Sequence, residues 1–108
     1  MYTAKGFIGG SFAKFIKQEI SDYNDIDIYF DFDQLPELIA ELSAKGIGVI
    51  EHPDNEIVSF SAQHNGFDIM VFNPDFEYET EDLVGFTLLS SDTMKRIYSY
   101  AKEVDCKV

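Results

Sequence analysis

The sequence predicts an α+β fold, a small mixed β-sheet with helices on one face. Three observations carry this. Residues 25–33 alternate apolar and polar side chains, the period of a strand. Asn65-Gly66 separates two further strand-like runs, a strong hairpin signal. Apolar residues at helical spacing precede, interrupt and follow these strands.

Met1 to Phe7 forms a short opening segment. Phe12, Phe15, Ile16 and Ile20 then fall at helical spacing, with Lys14 and Lys17 off the apolar stripe. Ser21-Asp22-Tyr23-Asn24 supplies turn formers that end this helix. From Asp25 to Asp33, Ile26, Ile28, Phe30 and Phe32 point one way. Asp25, Asp27, Tyr29 and Asp31 point the other.

Asp33 is placed to cap the next helix, with Pro36 and Glu37 in its first turn. Its buried stripe is Leu35, Leu38, Ile39 and Leu42. Lys45 suits the negative helix end, and Gly46 offers the left-handed stop. Ile47 to Glu51 reads as a short strand, and His52-Pro53-Asp54-Asn55 as a turn. His52 and His64 share no metal-ligand spacing and read as surface residues.

The runs Glu56–His64 and Phe67–Asn73 flank Asn65-Gly66. A two-residue loop pairs His64 with Phe67, Gln63 with Asp68, Ala62 with Ile69, Ser61 with Met70 and Phe60 with Val71. Asp68 therefore shares the polar face with Ser59, Ser61 and Gln63, opposite Phe60, Ala62, Phe67, Ile69 and Val71. Residues 76–82 alternate aromatics with acids and read as irregular chain or an edge strand, followed by an apolar run to Leu89 around Gly85. Ser91 or Asp92 caps a last helix with the stripe Met94, Ile97, Tyr98 and Ala101.

The chain of 108 residues has the length of one domain, read as 1–108 without internal linker or repeat. With 45% hydrophobic residues, including ten Phe and six Tyr, it can bury a core. Its net charge is −12, from 20 acids and 8 bases. That disfavours long nucleic acid as a partner, because few Lys or Arg can replace phosphate counterions. It does not disfavour a small nucleotide bridged by a divalent cation, which reverses the local sign. The single cysteine, Cys106, excludes an internal disulfide. No apolar run approaches the ~18 residues of a membrane span, and no signal peptide is visible, so a cytoplasmic protein is expected.

The residues that carry chemistry are Gly9-Gly10-Ser11 and the three acids Asp25, Asp27 and Asp68. Acids at alternate positions of one strand face can grip divalent cations together. A third acid on a neighbouring strand, Asp68, can complete the metal shell and take the proton of an attacking hydroxyl. The glycines let backbone approach phosphate, and Ser11 adds a hydroxyl. Lys14 or Lys17 can add positive charge to the phosphates.

Ile8-Gly9-Gly10-Ser11, thirteen intervening residues, Asp25-Ile26-Asp27-Ile28 and the later Phe67-Asp68-Ile69 together form a pattern. It resembles that of the DNA polymerase β-like nucleotidyltransferase superfamily, over residues 7 to 73. The double glycine before an Asp-Ile-Asp strand looks most like the small stand-alone members and the head domain of tRNA-nucleotidyl and poly(A) polymerases.

The resemblance implies a nucleotidyltransferase fold and two Mg²⁺ ions. It implies that Asp25, Asp27 and Asp68 are both metal ligands and catalytic residues. It further implies contact of Gly10 and Ser11 with a nucleoside triphosphate such as ATP, and Gly9 and Lys14 join that site by their position in this sequence. The implied acceptor is a hydroxyl of a partner protein, a tRNA end or a small molecule. The tRNA-type head domains carry an Arg-Asp pair where this chain has Ala13-Lys14. The alternative reading is a non-catalytic acidic binding or inhibitor protein on the same fold, presenting carboxylates as a nucleic acid presents phosphates.

Overall fold

The computed structural model describes residues 6–22 and 25–106, with side chains to residue 102. Met1–Lys5 of the opening segment, Tyr23 and Asn24 of the first turn, and the Cys106 side chain lie outside the described residues. The radius of gyration, 13.6 Å, is that of a compact domain of this length. Among the described residues no helix is long and apolar enough to cross a membrane.

The elements run β1 (Phe7–Gly9), α1 (Gly10–Ile16), β2 (Ile26–Phe30), α2 (Leu35–Ala44), β3 (Ile50–Glu51), β4 (Val58–His64), β5 (Phe67–Phe72), β6 (Thr80–Leu83), β7 (Phe86–Leu89) and α3 (Ser91–Cys106). All seven strands form one mixed sheet in the order β3-β4-β5-β2-β1-β7-β6. β2 runs parallel to β5 and β1 parallel to β7; the other neighbours are antiparallel.

Helices cover both faces of this sheet, which corrects the one-face expectation. Leu38 and Leu42 of α2 pack with Ile28, Phe30, Ala62, Ile69 and Val71. Met94 of α3 and Ala13 of α1 belong to a second cluster with Tyr29, Phe72 and Leu89. Tyr29 lies between Ile28 and Phe30 in the strand, so these two clusters use opposite faces. The physical reason is visible in β2 and β5, whose C-terminal residues are apolar on both faces and need cover on both.

The β4–β5 register is the one expected from the turn, from His64↔Phe67 to Phe60↔Val71. Asn65 and Gly66 have φ of 48° and 82°, the left-handed pair such a loop requires. The ladder slips between Val58 and Phe60. Ser59, at the slip, is buried and donates from its hydroxyl towards the Val71 and Phe72 carbonyls.

Three local expectations are corrected. The first helix stops at Ile16, where Gln18 takes φ 63°, so Ile20 lies beyond it. Asp31, not Asp33, caps the next helical segment. Its carboxylate accepts from the Asp33 N–H, and Gln34 reaches back to the Asp31 N–H. At α3, Ser90 takes the capping role: its Oγ accepts from the Thr93 N–H. Residues 80–89 form a regular hairpin, in which β6 is the edge strand expected there while the apolar run of β7 lies inside the sheet beside β1.

The turn of that hairpin is Val84-Gly85, with φ of 53° and 82°. A β-branched residue in the left-handed region is strained, and Val84 is 77% exposed, so packing gives little in return. Val84→Asn is expected to raise unfolding free energy by about 1 kcal/mol. A urea melt with an unchanged midpoint would count against this strain.

Candidate active site

The site grows from two neighbouring strands. Asp27 and Asp68 are direct partners across the parallel β2–β5 pair. Parallel neighbours are ~4.8 Å apart, and paired residues project to the same face. The two carboxyl groups are hydrogen-bonded to one another. Burial, then the Asp68 charge, the Asp68 hydrogen bond and the Asp25 charge push the Asp27 pKa up to about 7. Asp27 thus keeps its proton to a far higher pH than an ordinary carboxyl group does. Gln63, the β4 partner of Asp68, donates from Nε2 to Asp68 Oδ1 at 3.0 Å.

Asp25 stands just before β2 and is exposed. It lines an open cleft of about 280 Å³ with Gln63, Asn65, Gly66 and Asp68. Its charge reaches Asp27 as the weakest of the four causes. The acids therefore come as a tight pair with a third beside it. Among the described residues no three His, Cys, Asp or Glu side chains are gathered as a ready metal-ligand group. Asp31, on the same alternating run, is taken up elsewhere: it caps, and its Oδ1 accepts from the Tyr78 hydroxyl at 2.7 Å.

The two glycines fit two successive residues on the same face of β2. Gly9 pairs with Asp27 in the antiparallel β1–β2 ladder. A Cβ on Gly9 would meet the Tyr29 ring at 2.8 Å. A Cβ on Gly10 would run into the Asp27 carboxylate, and Gly10 has φ 63°. The start of α1 can touch the acid pair only because both positions lack a side chain. Gly10→Ala meets both the left-handed backbone and the carboxylate. It is expected to destabilise the protein by about 2 kcal/mol in thermal or urea unfolding. An Ala variant as stable as wild type would refute this close fit.

Ser11 is half-buried in the first turn of α1. Lys14, one turn on, places Nζ 4.9 Å from the Tyr98 ring centre on α3. The Tyr98 hydroxyl is held above its ordinary pKa by burial and then by the Asp27 charge. Lys14 and Tyr98 thus belong to the surroundings of the acid pair. Lys17 points elsewhere: its Nζ is 2.6 Å from Glu81 and 3.1 Å from the Ser91 hydroxyl. It cannot serve the acids as arranged, which leaves Lys14 as the basic residue on that side.

Tyr29 and Tyr98 enter the site's surroundings without having been singled out for it. Their only sequence signal is position: Tyr29 is two residues from Asp27 on a strand, and Tyr98 sits on the α3 stripe. His52, read as a surface residue, is half-buried and contacts Ser61 Oγ at 2.6 Å.

The donor set suits a divalent cation. Ionising Asp27 beside Asp68 is unfavourable without a positive partner, which a divalent cation would supply. Magnesium is commonly held by one or two carboxylates plus substrate phosphates, which a pair with open solvent beside it allows. No family model matches the chain, and no curated protein or solved structure matches it.

Proposed function

We propose that the protein is a metal-dependent nucleotidyltransferase that moves a nucleoside monophosphate from a nucleoside triphosphate to a hydroxyl. The observation that carries this reading is the Asp27–Asp68 pair, hydrogen-bonded and abutted by Gly10. Asp27 and Asp68 would hold Mg²⁺, with Asp25 at its edge. The bound cation would neutralise charge on the phosphates.

The chain's own residues supply the rest. The Gly9-Gly10 backbone gives phosphate a close approach, and Ser11 adds a hydroxyl donor. Lys14 adds charge from α1. Asp68 accepts the proton of the incoming hydroxyl, whose oxygen bonds to the α-phosphorus as pyrophosphate leaves. Gln63 holds the Asp68 carboxyl in place for this. The acidic surface favours a partner protein or small molecule as acceptor over a long nucleic acid.

The test is unfolding temperature with Mg²⁺ and ATP, GTP, CTP or UTP in turn. A ligand at a hundred times its Kd adds about 2.7 kcal/mol of stability. Stabilisation that requires both metal and nucleotide is expected. No shift with any of the four nucleotides would sink the reading.

A further inference from the structure

Beyond the acids, the same sheet face carries a second feature. Tyr29 and Met70 are partners in the β2–β5 ladder, two residues on from Asp27 and Asp68 and on the same face. They form the floor of a pocket of about 370 Å³. Two strand residues advance by ~6.6 Å, so this floor begins one side chain's reach from the carboxylates. α3 supplies the opposite wall, with Ile97, Tyr98 and Tyr100. Tyr98 belongs to both places: its ring lines the pocket, and Lys14 Nζ lies 4.9 Å from that ring's centre.

We propose that this pocket seats the base of a purine nucleoside triphosphate whose phosphates lie at the Asp27–Asp68 pair. The proposal rests on the nucleotidyltransferase reading and names its substrate class. The volume falls within the range of small-molecule sites, and the lining is mostly apolar and aromatic. Tyr29 is a rigid floor, since its ring stacks on Phe72 at 5.0 Å. Tyr100 is held as well, its hydroxyl accepting from the Glu56 N–H at 3.1 Å.

Flat rings of a base stack on such side chains whatever the sequence of the nucleic acid they come from. A two-ring base covers more of these walls than a one-ring base. The pocket also offers a polar group. Asn55 Oδ1 accepts from the Ile57 and Val58 N–H groups at 2.9 and 2.8 Å, which fixes the amide and leaves its NH₂ as the donor. A ring nitrogen or carbonyl of the base is the matching acceptor.

Inorganic tripolyphosphate separates this proposal from the reading on which it rests, because it carries the phosphates without a base. Binding with Mg²⁺ is measured by calorimetry for tripolyphosphate and the four nucleoside triphosphates. The proteins are wild type and Ala101→Trp, in which an exposed α3 residue lining the pocket is enlarged to fill it. Ala101→Leu is the milder filling if the Trp variant does not melt cooperatively.

Wild type is expected to bind ATP or GTP about tenfold tighter than tripolyphosphate, the effect of one base stacked on an aromatic wall. In the filled variant this preference disappears while tripolyphosphate binding is unchanged. Equal binding of purine triphosphates and tripolyphosphate by wild type would overturn the pocket and leave the acid site standing. So would a preference that survives filling. CTP or UTP bound as tightly as ATP and GTP would overturn the purine assignment. No binding of any of these, tripolyphosphate included, would overturn the nucleotidyltransferase reading together with the pocket.

Discussion

Asp27→Asn is expected to remove Mg²⁺-dependent nucleotide binding and, at the same time, to stabilise the ligand-free protein at pH 8. The two effects have one cause. Asp27 is forced beside Asp68 and partly buried, which raises its pKa from the ordinary 3.8 to about 7. The folded state therefore binds this proton more tightly than the unfolded state does. The resulting stability is fully present below about pH 4 and is lost as pH rises through 7.

Converted in full, that difference is worth ~4 kcal/mol. The carboxyl is partly exposed and water screens it, so about 2 kcal/mol is expected. Asparagine keeps a hydrogen-bond donor for Asp68 and carries no charge. Urea unfolding in chelator buffer at pH 5 and pH 8 measures the effect. Wild type should lose about 1 kcal/mol more than the variant across that interval, since part of the effect is already gone by pH 5. A variant no more stable than wild type at pH 8 would remove this account of Asp27. Under the proposed reaction, pyrophosphate release should fall roughly 10²–10³-fold, the cost of losing one group that stabilises developing charge. On the proposed reading, acids that repel one another at high pH in the empty site would trade stability for function, and relief by mutation is the signature.

Phe72→Ala should be the most destabilising single truncation, by about 3–5 kcal/mol. Phe72 is fully buried at the end of β5. Its ring lies 5.0 Å from Tyr29, 4.6 Å from Tyr78 and 5.1 Å from Phe76, so three rings from β2 and the β5–β6 connection lean on it. No neighbour can move in without abandoning another contact, and the cavity stays open. A domain of this size has only ~5–15 kcal/mol of stability in total, so the variant should be near its unfolding midpoint in modest urea. Phe72→Leu, which keeps most of the volume, should cost less than half as much. Equal losses for Ala and Leu would mean that ring contacts rather than cavity volume set the cost.

Much of the local structure is legible in the residues. The alternation at Asp25–Phe30 assigns Asp27 to one face and Ile26 and Ile28 to the other, because a strand has a period of two. Asn65-Gly66 assigns the β4–β5 register, because a two-residue loop with both φ values positive leaves no freedom to slip. Val84-Gly85 makes the same kind of turn but is illegible as one, since valine is a poor left-handed residue and is held there by the strands it joins. The Asp31 cap was equally hidden: both Asp31 and Asp33 have the right side chain, and only the backbone path through 32–34 chooses between them.

By itself, then, the sequence determined an α+β chain, the faces on which its acids stand and the register of one hairpin. Each of these follows from interactions among residues close in the chain. Tertiary structure alone decided that β2 lies beside β5, that β7 lies beside β1, and that α2 and α3 take opposite faces. Strand neighbours distant in sequence are selected by the apolar surface they bury together, for which no local pattern exists. That selection is what turns two separately legible acids into a hydrogen-bonded pair, presses Gly10 against one of them, and brings Lys14 and Tyr98 to its side.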